Sequence, residues 1–335
     1  MSEVGWGFIG ASTWARRWLV PAVRATPDAV PVAVFSTSAE RGRAFADECE
    51  LPRSYDSLEA LLADPGVDAV YVSTRNDLHA AQTIAAARAG RHVLCEKPLA
   101  LSLRDAWTMC RECERAGVVF GVDHHLRGAA TIVRMRELIE DGAIGEVVAA
   151  RVFHAGSLPA ELRTWRLDRP DAGGGVVLDL TVHDADTIRF LLGDEVEEVT
   201  AMTASGALGA GVVEDSAMGA MRMRSGPLAS FHDSFVVPYA PTGVEVHGSE
   251  GSVIGRGVLG PEPEGEVWLV HGGGSEPVAI GRRWGLYEHA VQRFMSAVAG
   301  TGAVLASGED GVRSLAVALA AIESAASGSA VRPGA

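Results

Sequence analysis

The amino-acid sequence predicts an α/β fold in two domains: an N-terminal doubly wound parallel sheet, then an α+β domain with a large open, mainly antiparallel sheet. With 335 residues the chain is long enough for two hydrophobic cores. Up to residue 125, short apolar runs alternate with amphipathic stretches, which is typical of parallel strands covered by helices. From 196 to 280, β-like runs follow one another without helices between them. The sequence therefore predicts a dinucleotide-binding domain over 1–125 and a substrate-binding domain over 126–335.

The apolar runs of the N-terminal part mark strands, and the stretches between them mark helices. Each run is apolar throughout, as expected for a strand buried on both faces. Gly90 and Gly117 stand where two helices are expected to end. The predicted strands are Val4–Ile9, Pro31–Phe35, Val67–Val72, His92–Leu94 and Val118–Val122, and the predicted helices are Trp14–Ala25, Ala39–Cys49, Leu78–Ala89 and Leu103–Ala116.

The C-terminal part has a different pattern, in which helices frame a series of strands. A glycine-rich turn at Gly173–Gly175 precedes one of the helices, and the tail from Gly328 is expected to fray. The predicted helices are Ala129–Glu140, Leu178–Leu191, Leu286–Ala299 and Glu309–Ala326, and the predicted strands include Glu146–Phe153, Ser216–Met223, Leu228–Val236 and Thr242–His247.

Composition favours small-molecule chemistry in the cytoplasm. The net charge of -14 disfavours nucleic acid or an anionic membrane as a partner, and no apolar run is long enough to span a bilayer. The first ten residues lack the basic and apolar regions of a signal peptide. Cys110 and Cys113 have C-x-x-C spacing but no second ligand pair, so packing explains them better than zinc or redox chemistry.

Lysine is nearly absent: the chain has 28 arginines and one lysine, Lys97. Lysine can lose its proton and act as a compact point charge, whereas arginine stays ionised and forked. Lys97 lies in the segment Cys95–Pro98, directly after a predicted strand. A functional role is one interpretation, and codon bias that spared a single lysine is the other.

The turn Gly7–Ser12 ends the first predicted strand and opens the first helix, where a dinucleotide pyrophosphate would meet backbone N–H groups. The match to G-x-G-x-x-G is imperfect, since Ser12 and Ala15 replace two glycines. An ordinary tight turn would explain the pattern alone equally well, but its place at the head of the βα series favours a nucleotide. The predicted cofactor residues here are Gly10, Ala11, Ser12, Thr13 and Trp14.

The segment after the second strand favours NADP over NAD. It has no carboxylate to accept from a ribose 2′-hydroxyl, but it offers the hydroxyls of Ser36 and Thr37, and Arg41 follows for a 2′-phosphate. Alternatively, Ser36 and Ser38 only cap the next helix, a role that is compatible with phosphate binding.

A polar cluster follows the strand Val67–Val72, at an edge where ligands bind in open α/β sheets. Helix capping is the competing explanation for Asn76, and simple exposure is the competing explanation for His79. The predicted cofactor contacts in this cluster are Thr74, Arg75, Asn76 and His79.

Asp179 and His183 form a second polar pair, far from Lys97 in sequence. They are four residues apart, so on a helix they share a face. A neighbouring carboxylate orients an imidazole and favours its protonated form, which suits proton transfer near neutral pH. A surface hydrogen bond along the helix is the alternative for such a pair.

Three motifs together resemble the glucose-fructose oxidoreductase, inositol dehydrogenase and MocA family. They are Glu96-Lys97-Pro98 after a strand, Asp179-x-x-x-His183 after a triple-glycine turn, and the Gly10–Thr13 start. The resemblance implies a Rossmann domain and hydride transfer between NADP(H) and a sugar carbon. Lys97 and His183 would flank the carbonyl, and Asp179 would bind a substrate hydroxyl.

The same resemblance implies further contacts and no metal. Lys97–Pro98 would be a cis peptide, and Asp123 stands where the family is expected to carry Asn. His124 and His125 would end a strand with side chains on opposite faces. The resemblance assigns Glu96, Lys97, Arg166 and Tyr287 to the cofactor, and Lys97, His125, Trp165, Asp179 and His183 to the substrate.

Two other functions stay open from the sequence. One is a different NAD(P)-dependent sugar or inositol dehydrogenase of the family, and the other is a nucleotide-binding sensor without turnover. The presence of Lys97, Asp179 and His183 argues against the sensor. The expected partner is a small sugar, with the protein a monomer or a homo-oligomer formed through the open sheet.

Overall fold

The protein is described by a computed structural model that covers residues 3–208, 211–240 and 242–334. The chain divides into two compact units, Met1–His125 with Tyr287–Val312, and Leu126–Leu286 with Arg313–Ala335. The first unit thus includes 287–312, which the sequence placed in the second domain. Phe294 packs its ring 5.1 Å from that of Trp6, which explains this grouping. The two-domain division itself stays a proposal.

The first unit is built on a parallel sheet with the strand order β3-β2-β1-β4-β5-β6, which confirms the predicted doubly wound fold. The order reverses between β1 and β4, so the chain segments after these two strands meet at the position where such sheets bind ligands. The strands in the described part of this unit are β1 (Val4–Ile9), β2 (Ala29–Phe35), β3 (Arg53–Tyr55), β4 (Ala69–Val72), β5 (His92–Cys95) and β6 (Phe120–Val122).

Most of the predicted helices of the first unit are confirmed within one or two residues. Two elements were missed, the strand β3 and the helix α3, because both are short and β3 lies at the sheet edge with Arg53 exposed. The helices are α1 (Val20–Ala25, continuing a π-helical turn Ala15–Leu19), α2 (Ala39–Glu48), α3 (Leu58–Ala63), α4 (His79–Arg88) and α5 (Leu103–Ala116).

The second unit contains a larger sheet with the order β14-β13-β12-β11-β7-β10-β9-β8. Its neighbours are antiparallel except for β7 and β10, which run parallel, so the predicted mainly antiparallel sheet is confirmed. The strands described here are β7 (Val147–Ala155), β8 (Val196–Ala204), β9 (Ser216–Met223), β10 (Leu228–Ser234), β11 (Gly243–Gly248), β12 (Gly251–Arg256), β13 (Glu266–His271) and β14 (Gly274–Pro277).

Four of the remaining helices follow the predicted bounds closely, and a fifth, Trp165–Asp168, has only four residues and was not predicted. They are α6 (Ala130–Glu140), α7 (Trp165–Asp168), α8 (Val182–Leu192, continuing a π-helical turn Val177–Thr181), α9 (Leu286–Val298) and α10 (Gly308–Ser327). The expectation of a frayed tail is wrong at Val331, because this residue exchanges two backbone hydrogen bonds with Val199. Among the described residues, no helix combines the length and apolar character needed to cross a membrane.

Candidate active site

The turn after β1 has the geometry of a nucleotide-binding turn. Gly10 has φ +107°, and a Cβ there would lie 2.9 Å from Thr74 Cγ2 and 3.2 Å from the Ser73 carbonyl, so only glycine fits. Ser12 Oγ donates to Ser73 Oγ at 2.9 Å and accepts from the Ala15 N–H at 3.0 Å, which begins the helix. The turns after β1 and β4 are thus joined at the switch point. A dinucleotide fits a helix N-terminus placed there.

In the segment after β2, the serine hydroxyls that accept backbone hydrogen bonds can still donate to a ligand. Ser38 Oγ accepts from the Arg41 N–H at 3.3 Å and so caps α2, and Ser36 Oγ accepts from the Ser38 N–H at 3.3 Å. A serine hydroxyl that accepts from a backbone N–H can still donate its own proton. Thr37 and Arg41 are exposed. Capping and phosphate binding can therefore coexist in this segment.

The polar cluster after β4 holds its own loop together, and one predicted contact needs correction. Arg75 makes a two-pronged ion pair with Asp77 at 3.1 and 2.9 Å, and Thr74 donates to Gln82 at 2.6 Å. His79 is fully buried, with its ring nitrogens 2.8 Å from the Pro98 carbonyl and 3.1 Å from the Thr74 carbonyl. A neutral imidazole can donate to only one of these carbonyls, but the ring is fully buried between the two loops and is not exposed to a cofactor.

Lys97 follows β5 and is half-buried, and its peptide bond to Pro98 is cis, as the resemblance implies. The carboxyl groups of Glu96 and Asp123 lie nearby, joined through the Tyr71 hydroxyl. Glu96 accepts from the Tyr71 hydroxyl through Oε1 and from the Lys97 N–H through Oε2 at 3.1 Å. The Tyr71 hydroxyl also lies 3.4 Å from Asp123 Oδ2. The lysine therefore emerges beside two carboxyl groups of the same unit.

Burial dominates the electrostatics of this cluster. It raises the pKa of Asp123 well above its usual range, the nearby Glu96 charge raises it further, and Tyr71 and Lys97 lower it. The pKa of Tyr71 is likewise raised, by burial first and then by Glu96. Burial and the Glu96 charge therefore favour the protonated form of Asp123, which can donate a hydrogen bond as the amide of the expected asparagine would.

Three aromatic rings gather in the first unit around the buried Tyr287. Tyr287 stacks against His125 at 4.8 Å and against Trp18 at 5.4 Å, and Trp14 lies 6.2 Å away. The structure thus brings together three predicted site residues, Trp14, His125 and Tyr287. It adds Trp18, which the sequence could have indicated only through its position one helical turn after Trp14. His124 and His125 both lie beyond the end of β6 and both are buried, so the prediction of opposite faces on a strand is wrong.

In the second unit, the triple-glycine turn lets α7 pack closely. A Cβ on Gly174 would lie 2.8 Å from the Trp165 carbonyl, and a Cβ on Gly175 would lie 2.2 Å from Glu214 Oε1. Glu214 accepts from the Val177 N–H at 3.1 Å and so caps the helix that carries the site residues. No local sequence signal pointed to Glu214, because it is 37 residues away from Val177.

Asp179 and His183 lie on this helix, Asp179 in the π-helical turn and His183 in the first turn of α8. Asp179 forms an ion pair with Arg166 at 3.6 Å, and the Arg166 guanidinium lies 4.7 Å above the Trp165 ring. His183 is buried, with its ring 6.2 Å from that of His154. The second unit thus groups four predicted site residues, Trp165, Arg166, Asp179 and His183.

The structure therefore gathers the predicted residues into groups with distinct chemistry. Gly10 to Trp14, Ser36, Arg41 and Lys97 belong to the first unit, together with Tyr287 and the acidic cluster. Asp179, His183, Arg166 and Trp165 belong to the second. One group offers a nucleotide-binding turn and an ammonium, and the other offers an imidazole, a carboxylate and a guanidinium. Hydride transfer with general acid–base assistance uses groups of both kinds.

Two family models match the chain, one in each half. A model described as an oxidoreductase family with an NAD-binding Rossmann fold matches residues 4–124. A model of the GFO/IDH/MocA C-terminal domain matches residues 132–254. The matched ranges include Lys97 in the first half, and Asp179 and His183 in the second.

Characterised relatives and solved structures agree with these models. The chain is 53% identical to the 1,5-anhydro-D-fructose reductase of Ensifer adhaerens over 97% of both chains. It is 32% identical to the myo-inositol 2-dehydrogenase of Thermotoga maritima over 69% of each. The aldose-aldose oxidoreductase of Caulobacter crescentus, solved with glycerol, has a TM-score of 0.90 at 26% identity and covers 98% of this chain and 99% of its own.

Proposed function

The chain belongs to the GFO/IDH/MocA family of oxidoreductases, and from that premise we propose that it reduces the C2 ketone of 1,5-anhydro-D-fructose to 1,5-anhydro-D-mannitol with NADPH. The observation that carries this proposal is the 53% identity to a 1,5-anhydro-D-fructose reductase over 97% of both chains.

Two residues would carry the polar chemistry of this reaction. The Lys97 ammonium would stabilise negative charge that grows on the carbonyl oxygen, and His183 would deliver the proton. Asp179 would accept from a substrate hydroxyl and steady His183, while Arg166 holds Asp179 in place at 3.6 Å. The nicotinamide, when bound, would supply the hydride.

The cofactor would be held mainly by backbone and hydroxyl groups. Gly10 to Trp14 would bind the pyrophosphate at the helix N-terminus, with Thr74, Arg75 and Asn76 along the neighbouring turn. Ser36, Thr37 and Arg41 would hold the 2′-phosphate. Support for NADP comes from the absence of a carboxylate at these positions and from the exposed Arg41 guanidinium. Glu96 and Tyr287 would lie near the nicotinamide end.

A panel of substrates tests the activity directly. We expect NADPH oxidation with 1,5-anhydro-D-fructose, slower oxidation of NADH, and no comparable reduction of NADP or NAD with myo-inositol or glucose. The 32% identity to a myo-inositol 2-dehydrogenase makes inositol the necessary comparison. If the anhydrosugar is not turned over while inositol is, the proposed substrate is wrong and the dehydrogenase alternative is correct.

Replacing Arg41 with alanine tests the cofactor preference. The variant loses a charge-assisted hydrogen bond to the 2′-phosphate at an exposed position, so we expect the KM for NADPH to rise about tenfold. The KM for NADH should change much less, because NADH has no phosphate there. Arg43→Ala, an exposed neighbour on α2, is the matched control. An equal change for both cofactors in Arg41→Ala would show that Arg41 does not read the 2′-phosphate.

A further inference from the structure

A second acidic cluster lies buried beside His183, on its sheet side. Asp184 follows His183 on α8, and Asp233 and His154 pair directly across the parallel strands β10 and β7. Asp184 and Asp233 are both completely buried. Two carboxyl groups in one dry location cannot both ionise without a large cost, so their hydrogen bonds decide how charge is distributed.

The hydrogen bonds form one chain through the cluster. His154 Nδ1 lies 2.9 Å from Asp184 Oδ1, and the Thr181 hydroxyl donates to Asp233 Oδ2. The carboxyl groups of Asp184 and Asp233 are close enough for each to shift the pKa of the other. Within the described residues, Asp184 Oδ2 and Asp233 Oδ1 are buried and receive no other donor. A proton shared by the two carboxyl groups would therefore lie between Asp184 Oδ2 and Asp233 Oδ1.

The environment decides which carboxyl group holds the proton. Burial raises the pKa of Asp184 to about 7, while the hydrogen bond from Asp233 lowers it. Burial, and then the charge of Asp184, raise the pKa of Asp233 well above its usual range. The groups that face the pair are Thr181 from the helical turn and His154 from β7. Asp233 therefore holds its proton more strongly than Asp184, and Asp184 is the group of the pair that ionises first.

We propose that Asp184 and Asp233 share one proton and act as a positioning pair, which fixes the orientation and tautomer of His154 beside His183. Because an ionised Asp184 can only accept, the ring proton of His154 must sit on Nδ1. The ring is then held 6.2 Å from that of His183. The catalytic consequence rests on the proposed role of His183, whereas the shared proton and the tautomer do not.

The shared proton can be tested by comparing the net charge of the Asp233→Asn variant with that of the original protein. The asparagine amide can donate to Asp184 and its carbonyl can accept from Thr181, which reproduces the hydrogen bonds of a protonated Asp233. We expect the net charge at pH 8, above the pKa of about 7 of Asp184, to equal that of the original protein when it is measured by capillary electrophoresis. Asp47→Asn removes an exposed carboxylate on α2, so it should make the net charge less negative by one elementary charge and calibrates the measurement. The same change of one elementary charge in Asp233→Asn would overturn the shared proton.

The positioning role can be tested on His154 by NMR with 15N-labelled histidine. We expect a protonated Nδ1 signal for His154 in the original protein and in Asp233→Asn, and its loss in Asp184→Ala, which removes the acceptor. In the same variant, kcat for the sugar should fall about tenfold with an unchanged KM for NADPH. Retention of the Nδ1 signal in folded Asp184→Ala would overturn the positioning role. If the original protein turns over no sugar, the proposed function fails, but the charge and tautomer measurements still decide this inference.

Discussion

Replacing Lys97 with methionine is expected to lower kcat for ketone reduction by about 10²- to 10³-fold, the loss typical when one group that stabilises a growing oxyanion is removed. Methionine keeps the length and much of the apolar stem but has no charge. NADPH binding should be little changed, because the proposed contacts to phosphate and ribose lie elsewhere in the first unit. Steady-state kinetics and NADPH fluorescence titration measure the two effects separately.

Two further variants decide why this position carries lysine. Arg104→Met, at an exposed position of α5, removes the same charge and should leave kcat within about twofold, since exposed charges interact weakly with distant groups. Lys97→Arg keeps the charge but presents a planar fork in place of a compact ammonium. We expect it to recover only part of the lost rate. Full activity in Lys97→Met would refute the assigned role, and full activity in Lys97→Arg would show that charge alone is required.

The regular elements were predictable because burial leaves a direct pattern in the sequence. The bounds of β1, α5 and β9 match the prediction residue for residue. The pattern fails where a segment is short or its partner is distant. β3 has only three residues, and the tail at Val331 is held by a pairing with Val199, 132 residues earlier, that no local pattern encodes.

The candidate site divides in the same way. Lys97, Asp179 and His183 were predicted because residue type and spacing indicate their chemistry. His79 was misassigned because its partners are backbone carbonyls, which look identical at every position in a sequence. Asp233 was missed because only the pairing of β7 and β10 brings it to His154. Residue type and spacing therefore indicate candidate reacting groups more readily than the groups that would orient them.

Replacing His183 with asparagine is expected to lower kcat by about 10²- to 10⁴-fold, the usual contribution of a positioned general acid. Asparagine can still hydrogen-bond, but it cannot deliver a proton. Reduction by the original protein should slow as the pH rises, because the protonated imidazole is depleted, and this dependence should disappear in His183→Asn. His271→Asn, at an exposed position of β13, is the matched control and should keep both rate and pH profile. An unchanged pH profile in His183→Asn would assign the proton to another group.

Combining the two replacements tests whether both groups act at one reacting oxygen. Groups that act together in one transition state give strongly non-additive losses, whereas independent groups give losses that multiply. We therefore expect Lys97→Met with His183→Asn to be little slower than the slower single variant. Without the ammonium less negative charge develops on the carbonyl oxygen, so its protonation by His183 accelerates the reaction less. A double variant whose loss equals the product of the single losses would show that Lys97 and His183 serve separate steps, and the proposed mechanism would need a different proton donor.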